Sequence, residues 1–184
     1  MINKIFKNIH NKYLKFFNFF FYLRYVFIIF FTAILLFLII PKFLNYGKKL
    51  NNLNSFLNVH YNFKIEKYQS INYRIFPLPN LVINDARIKI KTDPAIFETS
   101  NVIIFLKFKD IYNLEEISPK KIILKNSNLN LSVEKFNIIH EFFLSQKNKI
   151  DFKNLNIFLS RNKKSFFNIK NINASNFGYK KNKI

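Results

Sequence analysis

Three hydrophobic patterns succeed one another along the chain. From Phe16 to Ile40 apolar residues run almost unbroken, interrupted only by Asn18, Arg24 and Thr32. A helix of about 20 apolar residues crosses a bilayer, so this stretch predicts a transmembrane span. Its centre, Tyr25 to Ile40, is uncharged. Arg24 sits where its stem can snorkel to the headgroups, and Tyr22 and Tyr25 fit an interfacial belt. From Phe43 to Leu57 the period becomes helical. Phe43, Tyr46, Leu50, Leu53 and Leu57 share one face and predict an amphipathic helix. From about Phe63 the period is two, which predicts strands.

The strand region is punctuated by turn signals. Phe63 and Ile65 alternate with polar residues, as do Ile71, Tyr73 and Ile75. Pro77 and Pro79 cannot donate to a ladder and separate that strand from the next, Leu81 to Lys91. Thr92-Asp93-Pro94 and Ser118-Pro119 mark turns on either side of a strand over Val102 to Lys109. Lys121 to Val133 and Ile150 to Ser160 read as strands, and Phe166 to Phe177 as a strand pair. Phe136, Ile139 and Phe143 recur at helical spacing and predict one inserted helix. Ser132 is its candidate cap, and Glu134 favours its first turn.

A ten-residue phrase recurs within these strands. It reads Leu81-x-Ile83-x-Asp85-x-x-Ile88-x-Ile90, then Ile122-x-Leu124-x-Asn126-x-x-Leu129-x-Leu131, then Ile150-x-Phe152-x-Asn154-x-x-Ile157-x-Leu159. A degraded fourth copy is Phe167-x-Ile169-x-Asn171-x-x-Ala174. The apolar residues change parity at the Asp or Asn. A straight strand would then split them between two faces. A bulge or tight bend at that position keeps them together, and Asp and Asn tolerate the left-handed backbone it needs. The expected fold is α+β and membrane-anchored. It has one N-terminal transmembrane helix, an amphipathic helix, then an elongated, bent antiparallel β-sheet with one inserted helix. The divisions are residues 1–15, a basic tail; 16–41, the span; 42–60, the amphipathic helix and linker; and 61–184, the β-rich domain.

Charge orients the span. Lys4, Lys7, Lys12, Lys15 and Arg24 precede its core, and no acid occurs before Glu66. The positive-inside rule puts the N-terminus in the cytoplasm and the rest outside. The apolar stretch exceeds a usual signal-peptide core. Ile39-Ile40-Pro41-Lys42 offers no small-residue cleavage site, so the expectation is an uncleaved signal anchor. Net charge is +20 over 184 residues. The Lys and Arg residues are dispersed, and AT-rich coding would yield the same excess of Lys, Asn, Ile and Phe. The anchor argues against nucleic acid as a partner, as does the lack of an RNP-like aromatic motif.

Composition narrows the chemistry. Two glycines, Gly47 and Gly178, cannot build a phosphate loop or a dinucleotide fingerprint. Cys is absent, and His10, His60 and His140 are widely spaced with no metal-ligand pairing. The expectation is a protein that is not an enzyme and uses no cofactor or metal.

The segment Tyr73-Arg74-Ile75-Phe76-Pro77-Leu78-Pro79-Asn80-Leu81-Val82-Ile83-Asn84-Asp85-Ala86-Arg87-Ile88 follows the basic tail, span and helix. In that order it resembles the N-terminal region of AsmA-like proteins, where a strand enters a P-x-P segment and then an alternating strand with Asp or Asn. The Asn-centred phrases resemble that family's later β-repeats. The resemblance implies an inner-membrane anchor with a periplasmic β-rich body, a link to outer-membrane assembly, and phospholipid passage along an apolar sheet groove. This chain is shorter than most such proteins, so a truncated copy is one alternative. A membrane-tethered interaction module, binding envelope proteins and no lipid, is another. The residues expected to face lipid are Leu81, Ile83, Ile88, Ile90, Ile122, Leu124, Leu129, Leu131, Ile150, Phe152, Ile157 and Leu159. A face of twelve such side chains is too large to stay wet on a stable monomer.

Overall fold

The computed structural model describes residues 2–90, 96–112, 119–146, 148–161 and 164–176. The chain divides into two units, Met1–Ile40 and Pro41–Ile184. The first is helix α1, Ile2–Ile39, which continues back through the basic tail. The stretch Asn18–Phe43 is long and apolar enough to cross a membrane.

The second unit is a seven-stranded sheet with two helices on one face. Short 3-10 turns at Ile40–Phe43 and Gly47–Lys49 lead into α2, Leu50–Tyr61. The amphipathic helix therefore starts at Leu50 and not at Phe43. Asn45 interrupts it: its side-chain oxygen accepts the Gly47 N–H at 3.1 Å, a local bond that competes with helix. Phe43 is left exposed, while Tyr46, Leu53, Leu57 and Tyr61 are buried. Asn62, at φ 56°, ends α2 in the left-handed conformation that glycine usually supplies.

The strands are β1 (Phe63–Lys67), β2 (Ser70–Arg74), β3 (Asn80–Ile90), β4 (Ile96–Phe105), β5 (Lys121–Ser132), β6 (Ile150–Arg161) and β7 (Lys164–Asn176). Their order is β1-β3-β4-β5-β6-β7, and β2 shares the β1 edge of β3. Residues 75–79 separate β2 from β3, as the prolines require, and Ile75 lies outside the strand. The expected pair over Phe166 to Phe177 is one strand, β7. The signals at Thr92–Pro94, Ser118 and Phe177 lie outside the described residues.

One expectation is corrected. The sheet is mixed, because β5 and β6 run parallel in unbroken register, Ile122 against Ile150 through Ser132 against Ser160. All other pairs are antiparallel. A parallel pair needs a long crossover, and helix α3, Phe136–Leu144, provides it. A 3-10 turn, Val133–Lys135, precedes α3, and the Ser132 side chain makes no cap bond.

The parity flip is a backbone fact. Asp85, Asn126, Asn154 and Asn171 have φ of 46°, 51°, 59° and 59°. At each the chain points two successive residues outward and then resumes alternation. Leu81 and Ile83 are thus buried on the same face as Ala86, Ile88 and Ile90. The kinks align across the sheet. Asn84 pairs with Asn101 and Ala86 with Thr99, leaving Asp85 opposite Ser100. Thr99 pairs with Ser127 and Asn101 with Lys125, leaving Asn126 opposite the same Ser100. Asn154 follows in the parallel register. Because these four strands turn together, no register shift arises among them. Register shifts occur instead at the margins of the sheet, between β1 and β3 at Ile65 to Lys67 and between β6 and β7, where Asn154 and Asn171 are staggered.

The outward residues at the seam form side-chain ladders. Asn154 Nδ2 donates to Asn126 Oδ1 at 2.8 Å, and Asn156 Nδ2 to Asn128 Oδ1 at 2.9 Å. In-register parallel strands place identical amides one above the other, which suits such bonds. Lys121 and Lys149 flank Asp151 on the outer side of the same strand pair. Burial alone would raise the Asp151 carboxyl's pKa. Hydrogen bonds from Lys121 and Ser175, with the charges of Lys121 and Lys149, outweigh it and hold the group below its ordinary value.

Two outcomes follow for the full chain in detergent. Asp85→Gly should leave stability nearly unchanged, whereas Asp85→Val should lose about 1–2 kcal/mol for a left-handed β-branched residue; denaturant titration measures both. A carboxyl with a depressed folded-state pKa stabilises above its unfolded pKa and loses that effect as pH falls through the folded one. Stability should therefore decline as pH drops below the ordinary aspartate value of 3.8. Asp151→Asn should flatten that decline and lower stability at neutral pH, read from melting curves across the acid range.

Candidate apolar cleft

The inward face carries the phrase residues, and the helices cover most of it. α2 lies over β1, held by a two-way bond: Asn54 Nδ2 donates to the Ile65 carbonyl, and the Ile65 N–H donates to Asn54 Oδ1, both at 2.8 Å. α3 lies over β4 to β6. The Phe142 ring is 6.0 Å from that of Phe97, and the Phe143 ring is 5.3 Å from that of Phe152. The helices meet at their C-terminal ends, where Gln146 Nε2 donates to the Tyr61 carbonyl at 2.9 Å. Burial there pushes the Tyr61 phenol up to about 12.

Ten of the twelve expected lipid-facing residues are consequently core. Leu81, Ile83, Ile88, Ile90, Ile122, Leu124, Leu129, Leu131, Ile150 and Phe152 are all buried within the chain. Burying each contributes about 1.5–3 kcal/mol. Ile157 and Leu159 are the exceptions and are half-buried. Exposure rises from β5 through β6 to β7, where Ile169 is 38% and Phe167 54% exposed. Their partners are Ile157 and Leu159, so the four form one open continuation of the inner face.

Beside it, between α3 and the last two strands, lies a cleft of about 430 Å³. His140, Phe143 and Leu144 line it from the helix, Leu155 and Ile157 from β6, and Ile172 from β7. This size falls within the range of small-ligand pockets. Asn176 fixes one end, donating from Nδ2 to the Phe143 carbonyl at 2.6 Å. A nine-residue helix is about 14 Å long. A twelve-residue strand such as β6 is about 40 Å long. The helix therefore stops short, and the cleft opens where its cover ends. The chemistry offered is apolar contact.

Several inward residues escaped the phrase. Ala86, Ser127 and Leu155 follow the kinks directly and are buried, as are Phe97, Thr99, Val102 and Ile104 of β4. The signal was present as a spacing of two, three and two between inward positions. It runs through Phe97, Thr99, Val102 and Ile104 just as it does through Leu81, Ile83, Ala86 and Ile88. In β4 the turning residue is Ser100, without a positive φ, so no Asn or Asp advertised it. Thr99 and Ser127 are polar yet inward, and they satisfy each other: Ser127 Oγ donates to Thr99 Oγ1 at 3.0 Å and Thr99 Oγ1 to the Lys125 carbonyl at 2.9 Å.

No family model, curated protein or solved structure matches this chain.

The boundary between core and cleft is measurable. Leu155→Ala should lose about 2–5 kcal/mol in denaturant unfolding, as a buried leucine does. Leu159→Ala should lose less than half of that, because part of its side chain is already in water.

Proposed function

We propose that this is an AsmA-like protein of the cell envelope, anchored by one span with its N-terminus in the cytoplasm and its sheet in the periplasm. It acts in envelope biogenesis by holding phospholipid acyl chains against its β-sheet. The apolar stretch Asn18–Phe43 supports the anchor. The basic residues before it and the lack of acids before Glu66 support the orientation. The order of tail, span, helix and P-x-P phrase supports the family reading.

The observation that carries the lipid reading is the inner face outrunning its cover. Ile157, Leu159, Phe167 and Ile169 continue a surface that is core everywhere else, next to a cleft lined mostly by apolar side chains. Leaving such a surface in water is unfavourable, and an acyl chain matches it without needing hydrogen bonds. A second reading rests on β7, a thirteen-residue strand that among the described residues pairs only with β6. Its free edge suits a strand from a partner envelope protein, by sheet extension.

A photo-crosslinking residue separates the two. At Ile157 or Leu159, in native membranes, it is expected to capture phospholipid. At Asn156, which faces outward, it is expected not to. Capture of protein alone at the inward positions selects the interaction module. Equal lipid capture at inward and outward positions defeats the lipid reading, since mere proximity to a bilayer produces it. Ile83 and Leu124 are unsuitable probe positions because the chain itself buries them.

A further inference from the structure

The opposite end of the β2–β3 pair carries a second unusual surface. Phe76 is 83% exposed, and Leu78 and Phe108 are exposed with it. Strand register gathers them. Arg74 pairs with Asn80, Asn80 with Phe105, and Phe105 with Lys121. The Leu106 N–H donates to the Pro79 carbonyl at 2.9 Å. The β2–β3 loop, the end of β4 and the 3-10 turn Phe108–Asp110 therefore share one end of the sheet. Lys107, Lys109 and Lys120 are exposed on the same segments.

Beside this end lies a cavity of about 600 Å³, lined by Lys42, Leu44, Tyr46, Tyr73, Arg74 and Phe76 among others. Among the described residues its lining holds two cations and no acid. Tyr46 and Tyr73 are buried and stacked, with ring centroids 6.0 Å apart. Both hydroxyls are sealed from water and have no hydrogen-bond partner among the described residues. Such unpaired buried groups are rare and call for an explanation. Burial first, then the neighbouring phenols, raises the pKa of both tyrosines, so both remain protonated donors.

The cavity is also close along the chain to the span. Phe43 is the last residue of the stretch able to cross a membrane. Lys42 and Leu44 flank it and line the cavity, and Tyr46 follows three residues later. At about 3.3–3.6 Å per residue, Tyr46 lies within about 11 Å of contour from the end of that stretch.

We propose that this end of the sheet docks on the anionic headgroup layer of a phospholipid bilayer, with Lys42 and Arg74 receiving a lipid phosphate beside the stacked Tyr46 and Tyr73 rings. Phe76, Leu78 and Phe108 enter the interface around it. The occupant follows from charge complementarity: a guanidinium and an ammonium match a phosphodiester, and the basic rim matches an anionic surface. Exposed Phe and Leu side chains beside basic residues suit insertion at the boundary between headgroups and acyl chains. The proposal does not rest on acyl-chain binding in the cleft at β6 and β7, and either can fail alone.

The chain contains no Trp, so Phe76→Trp gives a single reporter at an exposed site that tolerates the change. The full chain carrying it is placed in nanodiscs of phosphatidylcholine alone or mixed with phosphatidylglycerol. Blue-shifted emission, quenched by lipids brominated near the headgroup, is expected only in the mixed discs. Lys42→Glu with Arg74→Glu should abolish the shift. Unshifted emission in both discs overturns the proposal. So does equal quenching in both, which reports only the tether. A shift produced by inorganic phosphate in phosphatidylcholine discs also overturns it, since that marks a soluble-anion site. Phe167→Trp, on the open face of β7, should not respond to headgroup charge.

Discussion

A left-handed backbone angle at one row of residues underlies the rest of the sheet unit. L-amino acids resist that conformation, and Asn and Asp resist it least among those with side chains. Asp85, Asn126, Asn154 and Asn171 adopt it in successive phrases. Each angle turns the strand over by one position and keeps both halves of the phrase on one face. Without it, half of every long strand would present apolar residues to the solvent side, and α2 and α3 would have only half a face to cover. The strands can be long because each is turned once. The helices can be short because the core lies wholly on one side.

The seam also explains a contrast between the two faces. Inward, it leaves Ala86 and Ser127 directly after the turn in β3 and β5, and Thr99 of β4 and Ser127 answer each other there. Outward, it leaves pairs of adjacent polar residues. Those amides connect strand to strand: Asn101 donates to Asn84, Asn154 to Asn126 and Asn156 to Asn128. The backbone N–H of Asn171 then donates to Asn156 Oδ1 at 3.0 Å. The asparagine richness of the chain thus has a structural use, whatever its codon origin.

The N-terminal apolar helix and the kinks were legible because each rests on local chemistry: a run of apolar residues, or an Asp or Asn at a parity change. Even the worn fourth phrase marked its kink correctly at Asn171. Strand direction was not legible, since an alternating pattern reads the same both ways; the parallel run of β5 and β6 is visible only through the α3 crossover. The turn in β4 was hidden because Ser100 needs no left-handed angle when its neighbours on both sides impose the bend. The extent of the exposed apolar surface was overread. Counting phrase residues ignores what Leu53, Leu57, Ile139 and Phe142 cover, and only Ile157 and Leu159 fall beyond that cover. The basic aromatic end at Phe76 escaped notice because its parts, Lys42, Arg74 and Phe108, are far apart in sequence and meet only through strand register.

The parallel join of β5 to β6 has a consequence for how such a sheet can vary in size. There, two neighbouring strands carry the same ten-residue phrase in the same direction, residue against residue, and the ladder between them is built from identical amides. Each phrase is therefore complementary to a copy of itself. A duplication of strand plus crossover helix would meet a matching edge, a matching bend and a matching ladder. A sheet built this way can be lengthened one unit at a time, because the register that joins neighbouring phrases is contained in each of them.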